Sequence, residues 1–96
     1  MSEQEMLGRI DKISRLLYQN KTNQIWDEIK GFLQELQLRV KGISDADEDA
    51  LLFSIEMMKD LVENYQKQDV IGIADCLQEK VTLFIQFYFA YKERKN

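Results

Sequence analysis

Histidine is missing from this 96-residue chain, and so is proline. Without histidine the commonest general base is gone, as are the Ser-His-Asp and Cys-His nucleophile systems and most transition-metal sites. The Glu-x-x-His pattern of di-iron carboxylate bundles goes with them. Glycine is scarce: four residues stand alone at 8, 31, 42 and 72, so no Gly-rich phosphate loop exists. Cysteine occurs once. Cys76 cannot close an internal disulfide, and its apolar and acidic neighbours would not lower a thiol pKa. It reads as a small core residue. What remains for chemistry is Asp, Glu, Lys, Tyr and Ser, with no spacing that singles any of them out.

A basic excess is missing too. The net charge is −4 and the isoelectric point about 4.8, against the basic face that non-specific nucleic-acid binding needs. The start, MSEQEMLGRI, is acidic and polar where a secretory signal needs a basic start and an apolar run. The most apolar window, 81–91, has eleven residues, short of the roughly twenty of a membrane span. The expectation is a cytoplasmic protein with no nucleic-acid partner and no membrane span.

Apolar residues make up 45% of the chain and charged residues 31%, the balance of one globular domain over residues 1–96. A chain this long buries roughly 60–65% of its unfolded surface, enough for a core without staples. The apolar residues recur at helical spacing, with no sustained strand-like alternation. A first helix, about 3–19, carries Met6, Ile10, Ile13 and Leu17, flanked by Leu7, Leu16 and Tyr18. The polar run Asn20-Lys21-Thr22-Asn23 follows, in which Thr22 or Asn23 suits an N-cap. A second helix, about 23–40, aligns Ile25, Ile29, Phe32 and Leu36, widened by Trp26, Leu33 and Val40. Gly31 interrupts it, and Gly42 stands where a helix end favours positive φ.

A third helix, about 45–67, offers Leu51, Ile55, Met58, Val62 and Tyr65 as its core stripe. Asp69 is the expected N-cap of a fourth, about 70–93. Its seam of Val70, Ala74, Leu77, Val81, Phe84, Tyr88 and Tyr91 has heptad intervals. Lys92, Arg94 and Lys95 cluster at its end, where the helix dipole favours cations. Short connections make each helix return beside the one before, so the sequence predicts an all-α, antiparallel up-down-up-down four-helix bundle. The halves echo each other: Ile25-Trp26-Asp27 and Ile73-Ala74-Asp75 lie 48 residues apart. Single hydroxyls at Ser54 and Thr82 lie near core faces and can bond to carbonyls of their own helices.

The stretch DADEDALLFSIE, residues 45–56, comes close to a calcium loop. Asp45, Asp47, Asp49 and Glu56 fill ligand places one, three, five and twelve of the EF-hand pattern. The sixth place is Ala50, where the loop needs glycine for its sharp turn. Gly42-Ile43-Ser44 precedes it as a helix start, with Ser44 as N-cap and Asp47 three residues on, a capping-box variant. The stretch therefore reads as the anionic first turn of the third helix, and no specific metal is expected.

The fourth helix carries VTLFIQFYFAY, residues 81–91, of which nine are apolar. One bundle-facing stripe leaves Leu83, Ile85, Phe87 and Phe89 on other faces, and a helix apolar all round needs cover all round. Leu83, Ile85, Phe87, Phe89 and Tyr91 are thus candidate interface residues. A homodimer, another protein's helix, or a broad internal core would each cover them. The functional expectation is a small non-enzymatic interaction module needing no cofactor, an adaptor, chaperone or regulator with itself or another protein as partner. The alternative is a bundle that binds a small ligand in its core or cations on the acidic 45–49 cluster. Size, acidity and helical class are similar to those of small bacterial bundle proteins such as export chaperones and bacteriocin-immunity proteins. That similarity is one of class, carried by no motif, and fold does not give function.

Overall fold

In the computed structural model, residues 2–19 and 25–95 are described. They form α1 (Glu3–Tyr18), α2 (Ile25–Lys41), α3 (Glu48–Gln66), α4 (Val70–Cys76) and α5 (Thr82–Lys95). A π-helical turn, Leu77–Val81, joins α4 to α5 without a break, so the rods number four and no strand occurs among the described residues. At about 1.5 Å per residue the fourth rod is about 39 Å long. That matches the 40 Å long axis of the molecule, so this rod is its spine. The Thr22 or Asn23 cap falls outside the described residues.

Side chains on facing helices meet in reverse order. Arg9 stacks on Phe32 while Lys12 approaches Glu28, as in two helices running in opposite directions. Tyr18 at the end of α1 donates to Asp75 Oδ1 at 2.9 Å, so the fourth rod starts beside the end of the first. One core runs through the bundle. Met6, Ile10, Ile13 and Leu17 come from α1, and Ile25, Ile29, Phe32 and Leu36 from α2. Met57 and Leu61 of α3 meet Leu77, Val81, Phe84 and Ile85 of the fourth rod.

Helix ends follow capping chemistry. Ser2 accepts from Glu5 N at 3.2 Å and Asp69 from Gly72 N at 2.9 Å. Between α3 and α4 the chain closes a Schellman turn, with Gln68 N bonded to Tyr65 O and Asp69 N to Asn64 O. The residue with positive φ there is Gln68, at 53°, not a glycine. Gly72 leaves room for two side chains: a Cβ there would lie 2.6 Å from Asn64 Oδ1 and 2.7 Å from Asp69 Oδ2, and one or both would have to shift.

Three sequence expectations are corrected. The N-cap of α3 is Asp47, whose side chain accepts from Ala50 N at 2.8 Å; it is not Ser44. Ile43 explains the shift. It is fully buried, and Ile43, Ser44 and Ala46 bond back in successive tight turns, so the helix starts three residues later. Gly42 does not take positive φ; its bare Cα instead admits Tyr88, whose Cε1 would lie 3.4 Å from an added Cβ.

The third correction concerns the rotation of α3. Its inward residues are Ser54, Met57 and Leu61, whereas Leu51, Met58, Val62 and Tyr65 are half-buried and Ile55 is 59% exposed. Burial of Met57 and Leu61 accompanies this rotation, and polar contacts to the fourth rod fit it. Asp60 pairs with Lys80 at 3.2 Å, Asn64 rests where Gly72 has no side chain, and the Cys76 thiol faces the Met57 carbonyl at 4.0 Å. The two inner hydroxyls satisfy themselves as expected: Ser54 donates to Ala50 O at 2.8 Å and Thr82 to Leu77 O at 2.9 Å.

Candidate functional site

The acidic stretch is committed to the fold. Asp47 caps α3, Asp45 accepts a hydrogen bond from the Tyr91 hydroxyl, and Glu48 and Asp49 occupy the first turn of α3. Ala50 lies in regular helix, so the sharp turn of a calcium loop is not made. Among the described residues no group of three or more Cys, Asp or Glu side chains converges on a point that could hold a metal ion. Burial pushes the Cys76 thiol up to about 12, and the negative charge of Asp60 adds to the rise. Such a thiol stays protonated at neutral pH and is a poor nucleophile.

The aromatic end of the fourth rod is largely internal. Ile85 is 0% exposed and joins the core. Phe87, Phe89 and Tyr91 are half-buried and pack against that core. Phe87 stacks on Tyr91 at 5.8 Å, and Phe89 meets the edge of Tyr88 at 5.1 Å. Tyr88 lies between two cations, Arg39 and Lys92, each 5.8 Å from its ring. Arg39 is 13% exposed and pairs with Glu35 Oε2 at 2.7 Å. Of the five candidate interface residues only Leu83 stands out in solvent, at 59%. Its neighbours on that face, Gln86, Ala90 and Glu93, are polar or small. The apolar surround of this helix is covered from within, by α1 on one side and by the Gly42 corner on the other.

On α3, Leu52 and Ile55 are exposed, and Leu51, Met58 and Val62 are half-buried against the core. Leu51, Ile55, Met58 and Val62 recur at intervals of four, three and four along one side of α3, and Met58 and Val62 of this row face α2. Between the two helices a groove of about 570 Å³ is floored by Val40, Met58 and Val62 and rimmed by Gln37, Lys41, Lys59 and Glu63. Trp26 and Tyr65 close the α2–α3 contact where α2 begins and α3 ends, edge to face at 5.9 Å. The rim residues were not legible as a site, because they become neighbours only once α2 and α3 pack. One signal was present: α3 bears a second apolar row beside the one it buries.

The chain matches no family model, no curated protein and no solved structure at a significant level. No helix among the described residues is long and apolar enough to cross a membrane.

Proposed function

We propose that this chain is a non-enzymatic interaction module that takes an amphipathic helix against the groove between α2 and α3. The carrying observation is the heptad-spaced row Leu51, Ile55, Met58 and Val62, left half-covered or exposed beside Val40. Heptad spacing on an open helix face matches the seam that a second helix fills. A sequence without histidine, and with a deeply protonated Cys76, supports a binding role over catalysis. This reading moves the docking face from residues 83–91 to α3, since Ile85 lies inside the core and Phe87, Phe89 and Tyr91 lean on it.

A small-ligand site fits less well. Such pockets pair an apolar wall with a few converging polar groups. Here the polar groups are long, exposed rim side chains.

The test is a two-dimensional NMR titration with a synthetic amphipathic peptide of about three heptads, leucine at both seam positions. Shifts centred on Val40, Ile55, Met58 and Val62 support the reading. Absence of binding, or shifts centred on Leu83, overturns it.

A further inference from the structure

We propose that the helix seated in the groove between α2 and α3 is acidic: an amphipathic helix of another protein whose apolar stripe is flanked by Asp and Glu. The proposal rests on the docking reading above and names the chemistry of its partner. The ground is charge. The chain as a whole is acidic, at −4, yet the α2 wall of the groove is not. Lys30, Gln34, Gln37 and Lys41 recur at intervals of four, three and four, so they share one strip of α2, and all four are exposed. Gln37 and Lys41 of this strip stand on the groove rim. Three helical turns separate Lys30 from Lys41, which brings the two to within about 20° of one direction around the helix.

The carboxylates of α2 leave this strip uncompensated. Glu28 approaches Lys12 of α1 at 3.8 Å, Glu35 pairs with Arg39 at 2.7 Å, and Asp27 lies in the first turn. Among the described residues neither Lys30 nor Lys41 enters an ion pair. On the α3 wall Lys59 and Glu63 stand one turn apart and balance each other. The sign of the groove is therefore set by α2, and it is positive. A helix laid on Val40, Met58 and Val62 carries its flanking side chains over these walls, where carboxylates meet Lys30 and Lys41 while cations meet their like. At about 0.1 M salt, charges more than about 10 Å away are largely screened, so the walls act more strongly than the net charge.

Three peptides of about three heptads with one leucine seam test this, their flanking positions all Glu, all Lys or all Gln. Each is titrated by NMR at about 0.1 M and about 1 M salt. At low salt the Glu peptide should bind about tenfold tighter than the Lys peptide, with Gln between, and the spread should collapse at high salt. Lys30→Glu combined with Lys41→Glu, both at exposed positions, should reverse the order while the protein still melts as a folded one. Equal binding of the three peptides, tighter binding of the Lys peptide, or an order unchanged in the double variant overturns the proposal. The Gln peptide separates the two failures. If it binds in the groove and flanking charge makes no difference, the docking reading stands and the acidic partner is removed; if none of the three binds, both fall.

Discussion

The two helical hairpins of this molecule share an inward register and differ in what they turn outward. Ile25, Ile29, Leu33 and Leu36 of α2 are buried, and so are Ile73, Leu77, Val81 and Phe84, each 48 residues on. The match breaks at Phe32, whose counterpart is Lys80 inside the π turn. In the first hairpin Phe32 is core, whereas in the second Lys80 reaches out to Asp60. The outer faces diverge further. The first hairpin exposes Tyr18 and Leu38 singly; the second exposes Leu52, Ile55, Ile71 and Leu83 and adds the half-open row on α3. Isolated exposed apolar residues need no explanation, but a row at seam spacing does. The shared register builds the core, and the divergence marks the surface on which the proposed docking rests.

Substitutions can sharpen this comparison. The largest effects should fall on the shared register. Phe84→Ala should cost about 3–5 kcal/mol and Leu36→Ala about 2–5 kcal/mol, read by chemical denaturation. A much smaller loss at either site would show that the two hairpins are not built on one inward register. Within the second hairpin, Ile73→Ala should cost about 2–5 kcal/mol while Ile55→Ala costs under about 1 kcal/mol. Equal losses would mean that α3 is rotated toward the row Leu51–Val62 after all.

Next comes the corner that opens α3. Asp47→Ala should cost about 1 kcal/mol and Ser44→Ala within about 0.5 kcal/mol of nothing. At this chain length each kcal/mol moves the melting temperature by about 4–8 °C, so thermal melts separate the two caps. The smallest effects concern glycine. Gly31→Ala, with open space around the added Cβ, should stabilise by about 0.5–1 kcal/mol. Gly72→Ala should destabilise, because its Cβ would push Asn64 or the Asp69 cap aside. The same sign at both sites would contradict the tight closure of the second hairpin.

Much of the fold was legible in the sequence. Four helices, the Asp69 cap and the inward order of α2 and the fourth helix follow from periodicity and capping chemistry, both local properties. The rotation of α3 did not follow. Two apolar rows lie side by side on that helix, Leu51-Ile55-Met58-Val62 and the inward Met57 and Leu61 beside Ser54, and periodicity favours the stronger row. Which row turns inward is settled by tertiary packing: Met57 and Leu61 fit against the fourth rod, where Lys80 meets Asp60 and Gly72 leaves room for Asn64. The cap at Asp47 was missed for a related reason. Buried Ile43 holds residues 43–46 in turns, and that burial is a tertiary fact. The interface read at residues 83–91 rested on a sound rule, that a helix apolar all round is covered all round. Ile85 and its aromatic neighbours find that cover inside the chain, while Leu52 and Ile55 of α3 stand exposed.

The central claim is that the docking face lies on α3 and not on the fourth helix. Titration of the wild type, Ile55→Asp and Leu83→Asp with the leucine heptad peptide tests it most directly, with thermal melts confirming that all three are folded. The account predicts that the wild type and Leu83→Asp bind the peptide alike while Ile55→Asp binds it weakly and melts as a folded protein. Loss of peptide binding in Leu83→Asp with retention in Ile55→Asp would contradict it.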